Sequence, residues 1–187
     1  MSVINSVSAG VYGAFLLARG RRDGIELVDT DRTAVIHSFW AIPLCLPAVV
    51  CLKLLDWLII GVPAHAPLAL GRYLLLFLVS WLLFVVVSHH FAVVLNKQAQ
   101  WPRFIAVWSY CSIVENTLVA IGLLPSALGA PAIVADTVEL VTIGWSLWLE
   151  WYAIRLALQV GELTAVILLV VDIVLGVITV ALGGLFV

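Results

Sequence analysis

The chain reads as all-α: a polytopic transmembrane helix bundle with about five spans, preceded by an N-terminal interfacial amphipathic helix. Three observations carry this reading. Of 187 residues, 64% are apolar and 11% are Asp, Glu, Lys or Arg. A soluble domain carries about 25% charged residues because water must wet its surface. Second, the apolar residues gather into five runs, each near the ~20 residues that a helix needs to cross a hydrocarbon core about 30 Å thick. Third, the basic residues fall on alternate connections, as they do in chains threaded through a bilayer.

The first element is predicted at residues 2–18. Val3, Val7, Val11 and Ala14 or Phe15 recur near helical spacing beside Ser2, Asn5, Ser6 and Ser8, and Arg19, Arg21 and Arg22 follow. Apolar residues on one side and cations at the end suit a helix lying on the cytoplasmic leaflet; a merely packed or frayed terminus is the plainer alternative. Asp23, Glu26, Asp29 and Asp31 read as a solvated connector, with Asp31 or Thr33 capping the first span. Residues 1–32 thus form the interfacial helix and connector, and residues 33–187 the five-helix domain. The Arg residues follow the first apolar stretch instead of preceding it, so no cleaved leader is expected.

Spans are placed at 33–55, 69–95, 103–124, 133–158 and 163–186. Gly61, Pro63 and Pro67, then Asn96 to Pro102, Pro125 to Pro131, and Gly161 supply the turn chemistry between them. Pro43 and Pro47 each remove a backbone donor and predict a kink in the first span. In the last, Gly176, Thr179 and Gly183 form a small-residue stripe suited to close helix approach, within the chain or between chains. An odd number of spans does not fit an inverted repeat of two equal halves in a single copy. Seven of the nine basic residues, Arg19, Arg21, Arg22, Arg32, Lys97, Arg103 and Arg155, fall on one side, and Lys53 and Arg72 on the other. That asymmetry places the N-terminus in the cytoplasm and the C-terminus outside.

Composition also excludes. A formal charge of −2 offers no basic field for nucleic acid. Cys45, Cys51 and Cys111 lie in apolar stretches without ligand spacing and are expected to be small buried hydrophobes. No phosphate loop, zinc-protease motif or nucleophile elbow is present, and an enzymatic activity is not expected.

Polar groups within a bilayer are costly and are functional hypotheses by default. Glu115 and Asn116 in span three, Glu150 in span four and Asp172 in span five stand out. At ~1.5 Å per residue, Glu150 lies about 12 Å, Asp172 about 13 Å and Glu115 about 18 Å from the cytoplasmic ends of their spans. The carboxyls could therefore share one layer and carry a proton, with Arg155, His89 and His90 as candidate partners; interhelical hydrogen-bond glue is the bland alternative. His37, with His89 or His90, sits where facing imidazoles could ligate a haem iron, or one a chlorophyll-type magnesium, although no cofactor and no metal site is expected. Trp145, Trp148 and Tyr152 fall on one stripe of span four with Trp151 beside it, suited to a lipid, a partner protein or internal packing. Trp57, Trp81 and Trp101 are candidates for the interfacial aromatic belts.

At TAVIHSFWAIPLCLPAVV, WPRFIAVWSYCSIVENTLVAIGLLP and LWLEWYAIRLAL the chain resembles a group of short bacterial inner-membrane proteins. These share an amphipathic start, five spans, an aromatic-rich third span ending in Leu-Leu-Pro and a Trp-Tyr-x-x-Arg close to the fourth. The layout is similar to the Yip-type membrane domain. The resemblance implies a bacterial inner-membrane location and this topology, and brings no activity or catalytic residue with it.

The leading functional expectation is a non-enzymatic accessory, assembly or scaffold subunit of a larger membrane complex, or a membrane organiser. Its partners would be lipid and other membrane subunits or further copies of itself. A small-solute or proton-coupled transporter or channel using the buried carboxyls is the alternative, and a haem- or pigment-binding anchor the third.

Overall fold

The computed structural model describes residues 3–28 and 32–184, helical throughout and without a strand among those residues. Helix α1 (Val3–Ala18) leads through a 3-10 segment (Arg22–Leu27) to α2 (Arg32–Ser38) and α3 (Ala41–Ile60). There follow α4 (Ala66–Val94), α5 (Trp101–Gly122), the short α6 (Leu124–Ala127), α7 (Ala132–Leu158) and α8 (Glu162–Gly184). Five stretches are long and apolar enough to cross a membrane: Val35–Ile60, Ala66–Val94, Trp101–Ala127, Ala132–Leu158 and Glu162–Leu182. The chain is a multi-pass helical membrane protein. Asp29 and Asp31 of the expected connector lie outside the described residues; Thr33 sits inside the first turn of α2.

The proline effect in the first span is sharper than a kink. Pro43 has no amide hydrogen, and its ring displaces the carbonyl four residues earlier, that of Phe39. The helix breaks there, and the Phe39 and Trp40 amides donate three residues back, to the Ile36 and His37 carbonyls at 3.3 and 3.1 Å. Pro47 is carried inside α3 without a break.

Left-handed residues close three helices at one end of the bundle. Gly20, with φ 76°, ends α1: its amide donates to Leu17 at 2.8 Å, and Arg21 donates to Leu16 at 3.0 Å. This paired capping satisfies carbonyls that the helix leaves open. Asn96, with φ 56°, ends α4 the same way through bonds to Val93 and from Lys97 to Ala92. Gln159, with φ 53°, ends α7 two residues before the expected Gly161.

Helix α5 is the hub, packed against α1, α2, α3, α4 and α7, while α8 rests on α4 and α7. At the end holding residues 101 and 158, α1, the 3-10 segment and α2 wrap the bundle as a collar. There all of residues 104–112 are buried, as are Leu149, Glu150, Tyr152, Ala153, Ile154, Ala157 and Leu158 of α7. Towards the other end α5 is half-buried, and between residues 132 and 148 only Ala135 is buried. Large aliphatic side chains such as Ile133, Leu140, Val170 and Val177 point outward there, as lipid contact allows.

Helix α1 docks by its small face. Ser6, Gly10, Gly13, Ala14 and Leu17 are buried, while Ile4, Tyr12 and Phe15 face outward. A Cβ on Gly10 would lie 2.1 Å from the Tyr110 ring, so only glycine fits. The 3-10 segment then folds back on α1, backbone against backbone. A Cβ on Gly13 would meet the Gly24 carbonyl at 2.5 Å, and one on Gly24 the Gly13 carbonyl at 2.4 Å.

The small-residue stripe of α8 packs within the chain. Gly176 faces Ser80 of α4, and Thr179 is buried with its hydroxyl on the Leu175 carbonyl at 2.7 Å. The surroundings of Gly183 lie outside the described residues. Cys45 and Cys111 are buried as expected; Cys51 is exposed, on an outward face of α3.

Candidate functional site

The intramembrane polar residues meet where the collar gives way to the open half. Between α4, α5 and α8 lies a cavity of about 160 Å³, lined by Glu115, Asn116 and Asp172 together with Ser80, Ser112, Phe77, Trp81 and Trp108. Glu150 stands beside it on α7, 7% exposed, in electrostatic contact with both Asp172 and Glu115. The spacing expected from helical rise thus brings carboxyls from three helices together.

Among the described residues the ion pairs are Arg21 with Asp23, Lys53 with Asp56, and Arg155 with Glu162, and none reaches the three acids. Arg155 is one of the candidate partners of the three acids, though five residues from Glu150 on one helix is a poor spacing for a pair. It turns away, 3.2 Å from Glu162 and with its guanidinium 5.4 Å from the centre of the Trp151 ring. The reason is geometric: residues five apart on a helix point to different faces, whereas Glu162 opens the next helix just beyond the turn. Arg155 therefore leaves the candidate cluster.

Glu150 has hydrogen-bond contacts with Asp172 and the Trp108 indole, but the neighbouring serine and asparagine turn to backbone. Ser112 donates to the Trp108 carbonyl at 3.0 Å, and Asn116 to the Ser112 carbonyl at 2.7 Å, both on their own helix. Glu115 Oε1 and Glu150 Oε1 are buried without a hydrogen-bond partner, and so is the indole nitrogen of Trp81. A second cavity, of about 210 Å³, opens on the other side of Glu115 between α1, α5 and α7. Arg19 lines it, its guanidinium 4.1 Å from the centre of the Phe15 ring.

An aromatic column runs behind the cavity, which two of its members, Trp81 and Trp108, line. Phe39, Trp81, Trp108, Phe84 and Phe104 succeed one another with ring centres 5.3, 5.2, 4.6 and 6.1 Å apart. Trp81 is 4% exposed and Trp57 is also buried, so neither serves an interfacial belt. Trp101 donates to Ser88 at 3.3 Å. This column escaped the sequence reading, because its members come from α4, α5 and the turn at Phe39, and only folding brings the three together.

The α7 aromatics hold the end of α1. Trp145 Nε1 donates to the Ala18 carbonyl and Tyr152 Oη to the Gly20 carbonyl, each at 3.1 Å. Trp148 stacks on Tyr152 with ring centres 5.3 Å apart, and Trp151 lies under Arg155.

The histidines stay apart from the acids. His89 packs edge-on against Trp101 at 4.8 Å, and His90 Nδ1 is 2.9 Å from the Val86 carbonyl. His37 lies on α2, and no ring contact joins it to either among the described residues. No group of three His, Cys, Asp or Glu set to hold a metal ion occurs among those residues.

No known family model matches the chain, and no curated protein or solved structure matches it either.

Proposed function

We propose that this protein is a membrane carrier that takes up positive charge, a proton or a small cation, at the cluster of Glu115, Glu150 and Asp172. The observation that supports this reading is the meeting of three acids beside a cavity, with no ion pair to any of them among the described residues. In a medium of low dielectric, like charges so close need a compensating positive charge. Since α5, α7 and α8 each contribute one carboxyl, a change in the occupant of the cavity acts on the packing of all three. In this reading the collar end, which carries Lys97, Arg103 and Arg155, faces the cytoplasm of a bacterial inner membrane.

Reconstituted vesicles with an imposed proton gradient test it. Glu115→Gln, Glu150→Gln and Asp172→Asn keep side-chain size while removing charge. Each is expected to lower proton or cation flux by at least about tenfold. Unchanged flux in all three ends the reading.

A second reading is a non-enzymatic accessory or scaffold subunit of a larger complex. It is favoured by Trp145 and Trp148, which remain 48% and 38% exposed although they brace α1. Native mass analysis after mild solubilisation decides it: a copurifying subunit of fixed stoichiometry is expected, and a lone chain counts against it.

A further inference from the structure

The acid cluster has room for more than a proton. At about 160 Å³, the cavity is close to the ~150 Å³ that suffices for a benzene-sized guest. Its wall combines carboxyls with the aromatic side chains of Phe77, Trp81 and Trp108. A bare metal ion needs several lone pairs in tight array, and the described residues offer no such group. Aromatic rings and carboxylates together suit a weakly hydrated organic cation, which the ring quadrupoles attract and the acids neutralise.

An independent observation adds a second requirement. Trp81 is 4% exposed, lines the cavity, and carries an indole N–H without a partner. Such a donor is costly to leave unsatisfied, so a guest that brings an acceptor oxygen is favoured over one that does not.

We propose that this cavity binds a small organic ammonium ion bearing a hydroxyl. The cationic end would sit with Glu115, Asp172 and the Trp108 ring, and the hydroxyl oxygen would accept from Trp81 Nε1. This rests on the reading of the cluster as a site that takes up positive charge, and it names the chemical class of cargo. Glu150, behind the cavity, would sense occupancy through Asp172.

Equilibrium dialysis of the full chain in detergent against radiolabelled choline tests it, with tetramethylammonium and sodium as competitors. Saturable choline binding is expected, displaced less well by tetramethylammonium and not by an equal concentration of sodium. Glu115→Gln and Asp172→Asn should each weaken binding about tenfold, and Trp81→Phe about threefold for choline while leaving tetramethylammonium unchanged. Ser80→Leu fills the cavity from α4 without altering charge. It should abolish binding in protein whose helical content and elution volume are unchanged. Absence of saturable choline binding overturns the proposal; so does binding that survives Asp172→Asn and Ser80→Leu, or equal displacement by sodium. Carboxyl-dependent proton flux without choline binding would leave the carrier standing and remove its organic cargo. Choline binding without flux in any form would keep the site and remove the carrier.

Discussion

Along α5, residues 104–112 are covered on every side by protein, whereas 113–122 lie half-open between their neighbours, and α7 repeats the division at Leu149. The difference follows from which solvent each half is built for. In the collar half α1, the 3-10 segment and α2 supply the cover, so packing is close enough to demand glycine at positions 10, 13 and 24. In the open half the outward side chains are aliphatic, and lipid is as apolar as they are, so little is gained by covering them with protein. The acid cavity sits on the boundary, where packed aromatics meet the half-open helices.

The comparison predicts unequal sensitivity. Gly24→Val should be the most damaging change, because its side chain would collide with the Gly13 carbonyl and approach the Leu17 amide, at 2.4 and 3.1 Å for Cβ alone. Backbone cannot rotate away, and a cost of about 3 kcal/mol is expected. Thermal unfolding in detergent should fall by about 6–12 °C. Gly144→Ala in the open half, where an added methyl meets nothing within 4 Å, should move the midpoint by no more than about 2 °C. Equal losses at the two positions would break the division.

Gly122→Ala probes a tight contact between α5 and α7 in the open half. Its Cβ would lie 2.2 Å from Thr142 Oγ1, which can turn away, and 2.9 Å from Thr142 Cβ, which cannot. About 1–2 kcal/mol is expected, only partly recovered when Thr142→Ala is added, since that Cβ remains; a double-mutant cycle reads the coupling.

Tyr152→Phe and Trp145→Phe each remove one hydrogen bond to the end of α1. Each should cost about 1 kcal/mol, seen as faster proteolysis around residues 19–28 with the five spans intact.

The smallest effect lies at the exposed Arg21 and Asp23 pair, 2.5 Å apart. The hydrogen bond from the Arg21 guanidinium holds the Asp23 carboxyl below its ordinary value of 3.8. The folded state therefore takes up that proton less readily than the unfolded one. The stabilisation is present above the unfolded value and is lost as pH falls through the folded one. Asp23→Asn should flatten the acid limb of a stability profile by a small margin and leave it unchanged at neutral pH.

Much of this was legible in the sequence. Hydrophobic run length found the five spans because bilayer thickness imposes one length on all of them, and helical rise placed Glu115, Glu150 and Asp172 in one layer. Local chemistry was less readable. Pro43 and Pro47 look alike in sequence, yet only Pro43 stands where the helix breaks. Arg155 lies near Glu150 in sequence but chose Glu162 across a turn. The glycines of the first 24 residues carried the missed signal. Gly10 and Gly13 in an apolar helix mark a face meant for close approach, and the partner surface, Tyr110 and Gly24, is visible only once the chain is folded.

The bonds from Trp145 and Tyr152 to α1 also set an order of assembly. Donor and acceptor stand 127 and 132 residues apart in the chain. At ~5–20 residues per second, α1 leaves the ribosome roughly 6–25 s before the side chains that hold its last turn. During that interval its glycine face and open carbonyls must be kept by lipid, by an insertion factor or by the nascent 3-10 segment. The collar therefore cannot close until α7 has been made, although it contains the first residues synthesised.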